Sequence, residues 1–277
     1  MTRGSHVSHE ELMRFALTVA RGAGDIVMEK LGQLQPDDIG YKSGTFKDLV
    51  TLADAQAEQY VRRRILGRFP DDTLIGEEQE ARHGSSGVTW YIDPIDGTTN
   101  FVHRIPIFGV SIGVVENGQL VAAVIHAPAL RETYHAYRGG GAFVDGKPIR
   151  VSPVDAVERS LVATGFADVR SGLTPNNLEA FSALVLRSQA VRRMGAASID
   201  LAYVASGRFE AFWEIGLSSW DVCAGSLLVK EAGGIVTDLD GGDDFLLGRT
   251  VLATNGAVHA EMKQILGAFE RPVQGGR

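Results

Sequence analysis

One cysteine in 277 residues leaves this chain without an internal disulfide framework. Cys223 stands among Val222, Ala224 and Leu227, where a thiol reads as a small buried hydrophobe rather than a nucleophile. No apolar run reaches membrane-spanning length, and Met1 to His9 lacks the apolar core of a signal peptide, so a cytoplasmic protein is expected. Positive charge is also scarce: 27 Lys and Arg against 34 Asp and Glu leave a net charge of -7, which disfavours nonspecific nucleic-acid binding. The one basic cluster, Arg62-Arg63-Arg64, falls in a helical pattern and reads as a solvated face. Seven histidines are scattered without ligand spacing. Internal repeats, low-complexity segments and linkers are absent.

A hydrophobic content of 44% is enough for a large core, divided as one large or two intimate domains. Ser8-His9-Glu10-Glu11 is a capping-box start, after which Leu12, Phe15, Val19, Ala23, Ile26 and Val27 recur at helical spacing to about Leu31. A second helix is predicted after Asp54, with Tyr60, Val61, Ile65 and Phe69 inward. Asn117-Gly118 and Asp145-Gly146 mark two hairpins. Beyond about Asp155, strand-like runs (Leu161 to Thr164, Phe209 to Trp213, Ile235 to Asp238, Val251 to Thr254) alternate with helical ones, and Gly233-Gly234 closes a helix begun near Trp220. Hairpins first and alternation later predict an α+β half over residues 1–155 and an α/β half over 156–277, packed as one compact unit. Gly141 to Lys147 spells GxxxxGK, but Pro148 follows where a P-loop needs a hydroxyl, so a nucleotide site is not expected.

The chemistry is concentrated between Trp90 and Pro106, WYIDPIDGTTNFVHRIP. Thr89 to Ile92 has strand composition, Pro94 is expected to end the ladder for want of an N–H, and Gly97 permits backbone angles that larger residues resist. If Thr98 opens a helix, the amides of Gly97, Thr98 and Thr99 leave its positive end beside Asp93 and Asp96, where they suit phosphate oxygens. Turn chemistry needs only one of these aspartates, and an EF-hand would need alternating ligands and a closing glutamate. Two further acidic clusters lie at Gly76-Glu77-Glu78 and at Ser218-Ser219-Trp220-Asp221. Together the three supply several hard oxygen ligands without a competing His or Cys cluster, and Mg²⁺ is the ion they imply.

The three clusters, in this order and with Asp48-Leu49-Val50-Thr51-Leu52-Ala53-Asp54 upstream, resemble the inositol monophosphatase family. The resemblance runs from about Ser8 to Phe269. It implies a layered α-β-α-β-α sandwich with the metal site between the halves, two to three Mg²⁺ ions, Li⁺ sensitivity and a homodimer. It also implies that Glu77, Asp93 and the carbonyl of Ile95 hold a first metal, that Asp93, Asp96 and Asp221 hold a second, and that a weaker third lies near Glu77, with Glu78 supporting the loop. Thr98, partnered by Asp54, would orient the attacking water, while the Gly97 and Thr98 amides hold phosphate. Gly195-Ala196-Ala197 and Glu214 match positions that contact the inositol ring; on composition alone Glu214 could be an exposed acid at a strand end. A mobile-loop lysine is expected before the first motif. Lys42 and Lys47 both compete for that role, and Lys42 is favoured.

The resemblance thus points to a phosphomonoesterase acting on inositol-1-phosphate or a similar polyol phosphate. Fructose-1,6-bisphosphate or broad sugar-phosphate hydrolysis is the alternative. A different class also remains open, because some bacterial proteins with this pattern act as partners of the transcription or RNA machinery.

Overall fold

A computed structural model describes residues 7–35, 39–41, 49–167, 169 and 176–269. Helix α1 (His9–Gln33) starts at the expected capping box: Glu11 N–H donates to Ser8 Oγ at 3.2 Å and Ser8 N–H to the Glu11 carboxylate at 2.9 Å. Strands β1 (Ile39–Tyr41) and β2 (Leu49–Thr51) form a small antiparallel ribbon. Helix α2 (Leu52–Arg68) begins three residues before the predicted start, because Thr51 and Asp54 form a second capping box and Asp54 sits inside its first turn.

Strands β3 (Thr73–Gly76) and β4 (Val88–Asp96), the short helix α3 (Thr98–Val102), and strands β5 (Gly109–Glu116), β6 (Gln119–Ala127), β7 (Glu132–Tyr137), β8 (Gly141–Val144) and β9 (Lys147–Ile149) follow. The seven strands make one sheet in chain order, parallel only between β3 and β4. Both predicted hairpins are present, with φ positive at Asn117-Gly118 and at Asp145-Gly146. The second hairpin consumes the GxxxxGK segment.

The rest of the chain alternates: β10 (Leu161–Thr164), α4 (Leu178–Arg187), β11 (Ala190–Arg192), α5 (Ala197–Ala205), β12 (Ala211–Ile215), α6 (Ser219–Glu231), β13 (Ile235–Thr237), β14 (Thr250–Thr254) and α7 (His259–Gly267). Its five strands order as β11-β10-β12-β14-β13. The ladder is mixed, with β10 parallel to β11 and β12 but β14 antiparallel to β12 and β13.

The layers follow from which faces are apolar. Leu12, Val19 and Val27 of α1 and Val61 and Ile65 of α2 pack with Trp90, Ile92 and Ile112 on one face of the large sheet. Leu201 of α5 and Val222 and Leu228 of α6 fill the space between Ile125 and Tyr134 of the large sheet and Phe212 and Val251 of the small one. Leu184 of α4 and Met262 and Leu266 of α7 cover Trp213 and Leu252 on the outer side. The result is the α-β-α-β-α stack. Buried between two sheets, α6 is apolar nearly all round, as such a position demands. Cys223 is buried there as expected, facing Gly113, where an added Cβ would lie 2.3 Å from its sulfur. Among the described residues no helix is long and apolar enough to cross a membrane.

Candidate active site

The site is built where β4 leaves the large sheet. Contrary to the expectation from Pro94, the strand does not stop there but runs on to Asp96. The register pairs Asp93 with Ser111 and Asp96 with Gly109, so an irregularity absorbs Pro94 and Ile95, and the missing N–H falls where no ladder bond is required. Asp93 closes the bulge by accepting from Ile95 N–H at 3.0 Å. In a regular strand residues three apart face opposite sides. The bulge removes that restriction and brings both aspartates to one cleft.

Gly97 then turns the chain with φ of 95°. A Cβ there would stand 2.9 Å from the Ile107 carbonyl and 3.2 Å from the Ala196 Cβ, so the position requires glycine twice over, by conformation and by contact. Asn100 in α3 donates to the Ile107 carbonyl at 2.7 Å and to the Met194 carbonyl at 2.8 Å, which ties the helix to the loop before α5. Sequence reasoning gave Asn100 no role.

Three aspartates from two elements lie near enough to act on one another's charge. Asp93 and Asp96 come from β4 and Asp221 from the first turn of α6, where its carboxylate accepts from Ser218 N–H at 2.7 Å. Burial pushes the Asp93 carboxyl well above the usual range, and Glu77, Asp96 and Asp221 push it further. Burial does the same to Asp221, with Asp96 and Glu77 adding to it. Asp96 is pushed up to about 6 by burial, against the pull of its hydrogen bonds to Ser198 and Ala197. Those bonds come from the amides of Ser198, at 2.6 Å, and Ala197, at 3.2 Å, with the Ser198 hydroxyl as a third donor. The positive end of α5 is thereby spent on a carboxylate, and the Ala197 amide faces Asp96.

Among the described residues no three of these acids close on one point. Glu77, however, is near enough to Asp93 to push its carboxyl up, by its charge and by hydrogen bonding. Two acids can meet only with a proton or a cation between them. The donors are hard oxygens throughout, without thiolate or imidazole, and so fit Mg²⁺ in kind.

Glu77 and Glu78 owe their position to a residue the sequence did not flag. Glu58 on α2 is fully buried and accepts from Glu78 N–H at 2.7 Å, Gln79 N–H at 3.2 Å and Arg62 Nη1 at 3.2 Å. Arg62 also donates to the Glu80 carbonyl at 2.8 Å. This corrects the solvated reading for Arg62, whose side chain is only 12% exposed; Arg63 and Arg64 are exposed as expected. A Cβ at Gly76 would lie 2.4 Å from the Glu58 carboxylate. The Glu58-Arg62 spacing was visible, but an i,i+4 pair ordinarily marks a helix surface. Glu58→Ala should strand two amides and a guanidinium, lowering kcat about 10–100-fold through the displaced loop. A kinetic assay beside a thermal melt checks this, and an unchanged kcat would remove Glu58 from the site.

The Thr98 hydroxyl lies 3.3 Å from Asp54 Oδ1 and 3.1 Å from the Ile95 carbonyl. Asp54 is buried and already accepts from Thr51 N–H at 2.8 Å and Thr51 Oγ1 at 2.6 Å. Glu214 on β12 is 6% exposed and accepts from Ala167 N–H at 3.2 Å, so it is not an exposed strand-end acid. Gly195 takes φ of 88°, beside Asn100. Lys42 and Lys47 lie outside the described residues.

The family model of the inositol monophosphatases matches residues 8–272. The chain belongs to that family. It is 41% identical to the Nus factor SuhB of Pseudomonas aeruginosa over 89% of this chain and 92% of that protein. It is 37% identical to an inositol-1-monophosphatase of Mesorhizobium japonicum over 96% and 99%. The inositol monophosphatase structure from Anabaena superposes with a TM-score of 0.84 at 35% identity, covering 96% of this chain and 98% of that one. Membership supports a phosphatase, and the Anabaena structure shares the layered architecture described above.

Proposed function

We propose that this protein is a Mg²⁺-dependent phosphomonoesterase that hydrolyses inositol-1-phosphate or a similar polyol phosphate. The observation that carries this is the mutual electrostatic influence of the buried Asp93, Asp96 and Asp221 and of Glu77, with Thr98 at the start of α3 set between Asp54 and the Ile95 carbonyl. Two to three Mg²⁺ held by Glu77, Asp93, the Ile95 carbonyl, Asp96 and Asp221 would neutralise the ester oxygens, acidify the attacking water and stabilise the departing alkoxide.

The chain's own residues do the rest. Thr98 has one proton and two acceptors in reach; once the Ile95 carbonyl is engaged elsewhere, the hydroxyl donates to Asp54 and turns a lone pair to the cleft. It can then accept from the attacking water and orient it in line with phosphorus. The first-turn amides at Gly97 and Thr98 would receive the phosphate oxygens. Asn100 holds α3 against the loop that carries Gly195, so phosphate and ring subsites keep a fixed separation. No covalent phosphoenzyme is required.

Glu214 supplies the ring contact in this reading. Glu214→Gln turns a charge-assisted acceptor into a neutral one and should cost about 1–3 kcal/mol in kcat/KM for inositol-1-phosphate, with little loss on p-nitrophenyl phosphate. Equal losses on both substrates would make it a support of the fold. The decisive experiment is a phosphate-release screen across inositol, fructose, histidinol and adenosine phosphates with and without Mg²⁺. Preference for fructose-1,6-bisphosphate would replace the inositol reading. Uniformly absent turnover would favour a partner role in transcription, which the likeness to a Nus factor keeps in view. A cytoplasmic homodimer completes the proposal.

A further inference from the structure

Ser198 is the second residue of α5 and is fully buried. A serine in the first turn of a helix ordinarily turns its hydroxyl to water or to a neighbouring backbone group. Here the hydroxyl donates instead to the Asp96 carboxylate, 102 residues away in the chain. The fold does not require that bond. The Ser198 and Ala197 amides already hold Asp96 at 2.6 and 3.2 Å, and an alanine in place of the serine would keep both amides and favour the helix.

The hydroxyl acts through the lone pairs of the carboxylate. Each carboxylate oxygen has about two lone-pair sites for a donor or a cation. Asp96 Oδ2 takes both the Ser198 amide and the Ser198 hydroxyl, which fills it, whereas Oδ1 takes only the Ala197 amide among the described residues. Asp96 therefore has one oxygen left to offer a cation. That bears on which cation it suits. Mg²⁺ is small and demands near-ideal octahedral geometry, while Ca²⁺ takes about six to eight oxygens in a looser shell and readily accepts both oxygens of one carboxylate.

We propose that Ser198 is a positioning residue which keeps Asp96 a one-oxygen ligand and thereby sets the preference of the site for Mg²⁺ over Ca²⁺. This role rests on the metal-binding part of the function proposed above and concerns the choice of ion rather than the reaction. With the hydroxyl removed, Oδ2 regains a lone pair and both oxygens can close on the larger ion. Ca²⁺ then gains a contact that the tighter Mg²⁺ shell does not use.

The test titrates the metal-free parent, Ser198→Ala and Ser198→Thr with Mg²⁺ and, separately, with Ca²⁺ at about pH 8, by calorimetry and by melting temperature. The ratio of the Ca²⁺ Kd to the Mg²⁺ Kd should fall about 10-fold in Ser198→Ala. Ser198→Thr restores the hydroxyl and should keep the ratio within about 2-fold of the parent. Equal weakening of both ions in Ser198→Ala would make Ser198 a support of the fold and overturn the assignment. So would an unchanged ratio. If Ser198→Thr does not fold for want of room for its methyl group, the alanine variant decides alone.

Phosphate release measured on the same samples separates this role from the catalytic reading. Should the parent bind Mg²⁺ and release no phosphate from any substrate of the screen, while Ser198→Ala shows the lowered ratio, the catalytic reading fails and the role of Ser198 stands. Phosphate release by the parent with an unchanged ratio in the variant would do the reverse. A parent that binds neither ion overturns both.

Discussion

Asp93→Asn should lower kcat by about 10³-fold or more while the protein folds normally. Glu77, Asp96 and Asp221 all act on this aspartate, so it is the point at which the charges of the site meet. Replacing it by a neutral isostere removes a hard ligand without leaving a cavity. It also removes a charge that burial and three neighbours disfavour, so the metal-free variant should melt at the same temperature as the parent or higher. Steady-state kinetics with saturating Mg²⁺ and a melt in chelator read the two arms. Retention of more than about a tenth of parental activity, a barrier change of only ~1.4 kcal/mol, would sink the metal assignment.

Mg²⁺ should raise the melting temperature by several degrees at pH 8, and by much less near pH 5. Asp93, Asp96 and Asp221 all have folded pKa values raised above the unfolded 3.8, Asp96 to about 6. For a raised carboxyl the stabilising form in the fold is the protonated one. Its contribution is present in full below about 3.8 and is lost as pH rises through the folded pKa, about 6 in the case of Asp96. The metal-free protein therefore carries uncompensated acids at pH 8, where a cation has most to offset; near pH 5 protons compete for the same oxygens. At about 100 times Kd the ligand term is roughly 2.7 kcal/mol, or some 5–10 °C for a chain of this size.

His126, His135 and His259 act in the opposite direction. Burial lowers their pKa values below 6.5, so their contribution is lost as pH falls. Comparing melts with and without Mg²⁺ at each pH cancels them. A shift independent of pH would mean that these carboxylates do not bind the ion.

What the sequence determined by itself was local. Ser8 and Glu11 announce the first helix because a capping box is completed within one turn, and Asn117-Gly118 and Asp145-Gly146 announce their hairpins because the turn geometry depends on those two residues alone. The motif from Asp93 to Thr98 could be read as an oxygen-rich site because residue type and spacing decide donor chemistry before any folding.

What only the tertiary structure decided involves partners far apart in the chain. Pro94 stays within a strand because β5 leaves the right positions unpaired, and no property of Pro94 reveals that. Asp96 takes its amides from Ala197 and Ser198, a hundred residues downstream. Glu58 looks like half of a surface ion pair until the loop at Glu78 folds over it and buries it. A hydrogen bond or a desolvated charge depends on which groups occupy a few ångströms of space. Sequence periodicity reports only which face of an element turns inward, and not what it meets there.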